Sequence, residues 1–229
     1  MKTLLQRRHY FTALTDLLVS PYNLGFCLYN WGFSVLGGRK HAAFRQRIVQ
    51  LAELRGDEDV LDAGCGTGLT MLRIAEQVPK CRVHGIDLSI KMIEVARNDA
   101  AKRGLDVDLR TGSITDLPYP DESFTVVLTN IIFQHLDLVE KRLAVAEIAR
   151  VLRPGGRYVS AEFGPRARNR MERRLAKGEY TLYPAHLAEA GLAVQCEELS
   201  PFIWNLQVAY RVAVKPDGTA PECFGEKQT

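Results

Sequence analysis

Residues Val60 to Gly68 read Val-Leu-Asp-Ala-Gly-Cys-Gly-Thr-Gly, and no other stretch constrains the fold as tightly. An apolar pair, Val60-Leu61, meets Asp62 and then three alternating glycines, Gly64, Gly66 and Gly68. An amphipathic segment, Leu69 to Val78, follows directly. This order predicts a buried strand feeding a tight turn that opens a helix. Glycine lets the main chain turn sharply and lets a ligand come close to the backbone. The start of a helix adds amide N–H groups that have no partner within the helix. The dinucleotide fingerprint G-x-G-x-x-G would need its third glycine where Leu69 stands. Here the third glycine comes one residue earlier.

Asp87 belongs to the same pattern. It ends a second short strand, Cys81 to Ile86, and lies about twenty residues past the glycines, where a Rossmann-like sheet sets a carboxylate against ribose hydroxyls. The combination Asp62-x-Gly64-x-Gly66-x-Gly68 with Gly85-Ile-Asp-Leu-Ser89 resembles the class I S-adenosylmethionine-dependent methyltransferases. Within them it is most similar to the ubiquinone/menaquinone-biosynthesis and small-molecule type. The resemblance continues through Gly112 to Phe124, Asn130 to Leu136 and Ala149 to Tyr158, so it covers roughly residues 45 to 162. It implies an α/β fold: a Rossmann-like, seven-stranded, mostly parallel sheet with helices on both faces and the last strand antiparallel. It also implies S-adenosyl-L-methionine as cofactor and S-adenosyl-L-homocysteine as product.

The chain has 229 residues, enough for one well-cored α/β domain. Its apolar content of 46% and charged content of 25% are ordinary globular values. A net charge of +3 is too small to argue for nucleic acid. The cysteines Cys27, Cys65, Cys81, Cys196 and Cys223 are scattered and form no C-x-x-C pair, so neither a disulfide framework nor a zinc site is indicated. That usage fits a reducing, cytoplasmic setting. In the first twenty residues Thr12, Thr15 and Asp16 interrupt the apolar run a signal peptide needs. Leu17 to Gly38 carries no formal charge, but Pro21, Asn23, Asn30 and its glycines make it a poor membrane helix.

Periodicity predicts a helix over Lys2–Val19, then the aromatic stretch Pro21–Gly38, then a helix over Arg39–Leu54. Strands over Asp59–Asp62, Arg82–Ile86, Asp106–Thr111, Ser123–Thr129 and Arg157–Glu162 alternate with helices over Leu69–Val78, Ile90–Arg103 and Leu138–Leu152. Near-continuous apolar strands alternating with helices imply a parallel sheet covered on both faces. A short helix, Pro184–Ala190, precedes a hairpin-like pair of strands, Leu192–Leu199 and Asn205–Val214. The expected organisation is an N-terminal helical lid or cap over residues 1–54, a methyltransferase domain over 55–215 and a loose tail over 216–229.

The resemblance implies that Asp62 and the turn Gly64-Cys65-Gly66 to Gly68 face the methionine end of the cofactor. It implies that Asp87 accepts from both ribose hydroxyls and that Leu88 packs on adenine. Structural alternatives remain: a loop-capping role for Asp62, a helix N-cap for Asp87, a small packing residue for Cys65. Ser113-Ile114 stands where the family usually has Asp-Ala, the acid reading the adenine amino group. Ser113 keeps one hydrogen bond but loses the charge, leaving Asp116 or backbone and stacking to hold adenine. Asn130 ends the fourth strand at the carboxyl edge, where open α/β proteins bind ligands, or else it caps the strand. His135, five residues on, is the best-placed histidine to take a proton from a phenol, enol or amine, with a capping or packing role as the alternative. His84 reads as structural, and no histidine belongs to a metal set.

Tyr22, Tyr29 and Trp31 suggest an aromatic lid over a flat or apolar acceptor, or simply packing of the N-terminal helices. The run Arg166 to Lys177, with Arg7, Arg8, Arg39 and Lys40, would make a basic rim and leaves open a peripheral contact with an anionic membrane. The partner expected is a small-molecule acceptor; no nucleic-acid partner is expected, since aromatics are not interleaved with the basic run. A nucleic-acid or protein methyltransferase, and a cofactor-binding scaffold without catalysis, are the competing classes.

Overall fold

A computed structural model describes residues 40–164, 183–202 and 207–217. Seven strands make one sheet: β1 (Asp59–Ala63), β2 (Arg82–Asp87), β3 (Asp108–Thr111), β4 (Phe124–Asn130), β5 (Leu152–Phe163), β6 (Ala193–Pro201) and β7 (Gln207–Val214). Their spatial order is β3-β2-β1-β4-β5-β7-β6. The pairs β1–β2, β1–β4, β2–β3 and β4–β5 are parallel, and β7 runs antiparallel to both β5 and β6. The final two strands form the hairpin pair that their alternation suggested. The chain builds outward from β1 through β2 to β3, then returns to place β4 on the other side of β1. That reversal makes a switch point, and ligands of open α/β sheets bind in the crevice outside the carboxyl ends of the strands there.

All five residues of β1 are buried, as a central strand covered on both faces requires. On one face, helix α1 (40–51) contributes Phe44, Ile48 and Val49 to the core, beside Met71, Leu72 and Ile74 of α2 (Leu69–Gln77) and Ile93 and Ala96 of α3 (Ile90–Arg103). On the other face, Ala144, Val145 and Ile148 of α4 (Leu138–Val151) and Leu187 of α5 (183–189) pack on Leu61, Val127 and Tyr158. Burying each large aliphatic side chain contributes about 1.5–3 kcal/mol.

The helix ends follow local chemistry. Ser89 caps α3 by accepting from the Met92 amide, and Gly104 closes it in a left-handed conformation. Asp137 and Glu140 form a reciprocal capping box at the start of α4.

β5 starts five residues earlier than expected. Pro154-Gly155-Gly156 reads as a chain break, yet it is absorbed in a bulge: Phe124 pairs with Leu152, and the register resumes at Val126 with Arg157. Gly155 donates to the Lys215 carbonyl, and Lys215 donates back to Gly156. Lys215 Nζ also donates to the Leu152 carbonyl at 2.8 Å, so the last residue of the expected domain is held to β5. The rest of the expected tail, 218–229, lies outside the described residues. Among the described residues no helix is long and apolar enough to cross a membrane, and no group of His, Cys, Asp and Glu is placed to hold a metal ion.

Candidate functional site

The glycine turn leaves β1 at the switch point. Gly64 and Cys65 both donate to the Ile86 carbonyl, at 2.8 and 3.0 Å, which ties the turn to the end of β2. Gly64 has φ +80, and a Cβ there would come within 2.9 Å of Ile132 Cγ1. Gly68, with φ +77, caps α2 and lies so near Ala96 of α3 that a Cβ would approach to 3.0 Å. No side chain other than hydrogen fits either position without strain. Above Gly66, in contrast, there is open space.

Asp87 ends β2 beside that opening. Its Oδ2 accepts from Gly66 N at 2.8 Å and its Oδ1 from Ser89 N at 2.9 Å. A carboxylate offers about four acceptor positions, so the two amides orient the group without exhausting it. Asp87 is not the N-cap of α3, because Ser89 holds that place. Leu88, 38% exposed, and Ile90 present apolar surface next to it.

Asp62 is fully buried at the end of β1, and its Oδ1 accepts from Asn130 Nδ2 at 3.0 Å. Asp62 Oδ2 and Asn130 Oδ1 are both buried and have no hydrogen-bond donor. Burial pushes the Asp62 carboxyl up to about 7, against the pull of the Asn130 hydrogen bond and of the Met71 amide at the start of α2, and the Asp87 charge pushes it further in the same direction. A buried acceptor without a donor costs about 1–3 kcal/mol. Both atoms belong to residues joined by one hydrogen bond at the carboxyl edge of the sheet, where a donor from a ligand could satisfy them.

The other anticipated residues divide. Cys65 is buried in the core of the α1–α3 face; burial, and then the Asp62 and Asp87 charges, hold its thiol well above the usual range. That is the packing role, with no reactive thiolate. Ser113 Oγ lies 2.8 Å from Thr115 Oγ1 and accepts from Thr115 N, which fixes the side chain within its own turn. Ile114 is buried in the core cluster that α4 also joins. Asp116, on the same turn, is exposed. His135 ends a 3₁₀ turn (Phe133–His135), is exposed, and lies 3.2 Å from Gln134 Nε2. Crowding of its ring lowers its pKa below the usual imidazole value, so it is neutral at pH 7. It caps no helix, since Asp137 caps α4. Tyr22, Tyr29 and Trp31, and the basic run Arg166 to Lys177, lie outside the described residues.

Two features were not anticipated. Ile131, directly after Asn130, adopts φ +52. For a β-branched residue this is an uncommon, strained conformation that costs about 1–3 kcal/mol. Glu162 of β5, 7% exposed, accepts from Ile132 N and Phe133 N, one with each carboxylate oxygen, both at 3.2 Å. Burial pushes its carboxyl up, while the two amides and the Arg211 and Lys141 charges pull it back toward the ionised form. The one acidic residue of β5, following the apolar and small residues Tyr158 to Ala161, was the available signal for Glu162. No sequence signal marks Ile131.

The family model described as a methyltransferase domain matches residues 60–156, the span that carries this crevice. Over 181 residues the chain is 30% identical to the uncharacterized methyltransferase YcgJ of Bacillus subtilis, covering 75% of this chain and 70% of YcgJ. The chain belongs to the methyltransferase-domain family. With its sheet order it is a class I S-adenosylmethionine-dependent methyltransferase by fold. This methyltransferase domain is also 38% identical over 122 residues to a demethylmenaquinone methyltransferase of Thermus thermophilus, covering 53% of the chain and 54% of that protein. The match thus spans about half the length of that relative. The geranyl diphosphate C-methyltransferase of Streptomyces coelicolor, solved with S-adenosyl-L-homocysteine, shares the fold at TM-score 0.64 and 19% identity, covering 77% of this chain and 80% of that one.

The family's cofactor is S-adenosyl-L-methionine, and the residues of this methyltransferase domain fit it. The ligand carries an ammonium with donors for Asp62 Oδ2 and Asn130 Oδ1, and a positive charge that an acidic pair favours. Its ribose hydroxyls suit the carboxylate of Asp87.

Proposed function

We propose that the chain transfers a methyl group from S-adenosyl-L-methionine to a small organic acceptor, aromatic or lipid-like, on oxygen, nitrogen or carbon. One observation carries the reading: a buried Asp62 oxygen without a donor, next to open backbone at Gly66 and a second carboxylate at the tip of the next strand. A dinucleotide would set its pyrophosphate against two acids, whereas a sulfonium with an ammonium is attracted by them. The relatives named above support the acceptor class, being named for small organic acceptors, demethylmenaquinone and geranyl diphosphate.

The cofactor, when bound, supplies a methyl group on a positively charged sulfur. What the protein contributes is position. Asp62 and Asn130 accept from the ammonium, and the Gly64–Gly68 turn follows the methionine portion with its backbone. Asp87 accepts from the ribose hydroxyls, Leu88 covers one face of adenine, and the backbone at Ser113 and Ile114 borders its edge. His135, neutral at pH 7, takes the acceptor's proton where the acceptor has one to lose. A basic rim built from Arg166 to Lys177 would bring the protein to anionic membranes, which flotation with anionic and neutral liposomes tests directly.

The activity is tested with methyl-labelled cofactor and a panel of phenols, quinols, amines and prenyl diphosphates. Label should pass to at least one acceptor, with S-adenosyl-L-homocysteine formed in equal amount. Cofactor binding with no transfer across the panel would contradict the reading and favour a scaffold.

A further inference from the structure

Glu162 is a buried acid that the roles above leave unused. It lies at the carboxyl edge of β5, one residue past Ala161, which pairs with Asn130 of β4. Ile131 N donates to the Ala161 carbonyl at 2.8 Å, and the next two amides, of Ile132 and Phe133, both donate to Glu162. Every amide from Ile131 to Phe133 is thus held by β5. The turn these bonds hold contains the strained Ile131 and delivers two contacts to the crevice. Before it, Asn130 reaches Asp62. Within it, the Ile132 side chain lies against Gly64, so closely that even a Cβ on that glycine would be 2.9 Å from Ile132 Cγ1.

We propose that Glu162 is a positioning residue for the cofactor: its carboxylate clamps the 131–133 turn, and through Ile132 and Asn130 it sets the glycine turn and Asp62. The inference rests on the methyltransferase reading of the crevice.

The chemistry explains why the position holds an acid. Two inward amides need two acceptor atoms, and a carboxylate supplies one on each oxygen. A glutamine would offer one acceptor and turn an N–H donor against the second amide. An apolar residue would leave both amides without a partner. The surroundings hold the carboxylate in place. Arg211 of β7 and Lys141 of α4 face it with opposite charge, and Tyr158 of β5 and Tyr183 of α5 close the same pocket. Arg211 is itself fixed by Glu197 at 2.6 Å and lies over the Tyr183 ring. Charges on β7 and α4 thus favour the ionised acid while both its oxygens serve the turn.

The test is isothermal titration of S-adenosyl-L-homocysteine into full-length wild type, Glu162→Gln, Glu162→Asp, Ile132→Ala and the double variant Glu162→Gln/Ile132→Ala, each well below its melting temperature. Glu162→Gln should weaken binding about tenfold or more, and Ile132→Ala by a smaller factor. The double variant should fall short of the product of the two losses, because both changes act along one chain of contacts. Glu162→Asp should recover part of the affinity. A Glu162→Gln protein that melts lower but binds as tightly as wild type would overturn the proposal. If that variant does not fold, Ile132→Ala decides: weakened binding supports the proposal, and unchanged binding overturns it. Wild type that fails to bind at all would overturn the methyltransferase reading as well, an outcome distinct from tight wild-type binding with unaffected variants.

Discussion

Asn130 Nδ2 lies 3.0 Å from Asp62 Oδ1, joining the ends of β4 and β1 across the switch point of the sheet. The bond uses one polar atom of each residue and leaves Asp62 Oδ2 and Asn130 Oδ1 buried without donors. A protein optimised only for stability would not keep this arrangement. It stores a cost of about 1–3 kcal/mol per acceptor that a bound donor relieves.

Asp62→Asn should therefore move stability and binding in opposite directions. Removing a buried carboxyl that costs about 1–3 kcal/mol should raise the melting temperature of the ligand-free protein by about 2–12 °C, using roughly 2–4 °C per kcal/mol for a chain of this size. Affinity for S-adenosyl-L-homocysteine should fall at least about tenfold. Thermal denaturation with and without ligand measures both; a variant that is both less stable and equally tight would refute the role.

pH should act through the same carboxyl. Its folded pKa, about 7, lies above the ordinary value of 3.8, so between those limits the native state holds more protons than the unfolded chain. Stability of the ligand-free protein from this group is fully present below about pH 4 and is lost as pH rises through 7. Binding of a ligand ammonium requires the Asp62 carboxylate, so affinity should rise from pH 6 to pH 8 with release of a proton. Titration at pH 6 in two buffers of different ionisation enthalpy would detect that proton; buffer-independent heats would contradict it.

Asp87→Ala removes the group that fixes the Gly66 and Ser89 amides and that we assign to the ribose. Loss of charge-assisted hydrogen bonds should weaken cofactor binding by about 2 kcal/mol or more, roughly thirtyfold. Isothermal titration gives the number directly, and an unchanged dissociation constant would remove Asp87 from the site.

Asp137→Ala serves as the contrast. It breaks the capping box of α4 and should cost about 1 kcal/mol of stability, read as a lower melting temperature. Affinity for S-adenosyl-L-homocysteine should stay within twofold of wild type, a difference of only about 0.4 kcal/mol.

The part of the site legible in the sequence is the part written in one continuous stretch. Strand β1, the glycine turn and helix α2 follow one another without interruption, and Asp87 falls at the next strand end. Their chemistry is local, so residue type and spacing suffice. Glu162 was hidden because its partners, Ile132 and Phe133, are joined to it only by the register of β4 against β5. The strain at Ile131 was hidden for the opposite reason: nothing about an isoleucine predicts a left-handed backbone, which here follows from the clamp around it. The bonds from Ser113 to Thr115 were hidden as well, because residue type alone does not show which local partner a hydroxyl takes. At Pro154-Gly155-Gly156 the turn chemistry was legible, but the bulge that absorbs it depends on pairing with Lys215.

The most direct measurement is a side-by-side titration of wild type and Asp62→Asn with S-adenosyl-L-homocysteine, with NAD as the counter-ligand. Wild type should bind the homocysteine compound one-to-one and saturably, the variant should bind it at least about tenfold more weakly, and neither should bind NAD. Preferential binding of NAD by wild type, or equal affinities for the two proteins, would contradict it.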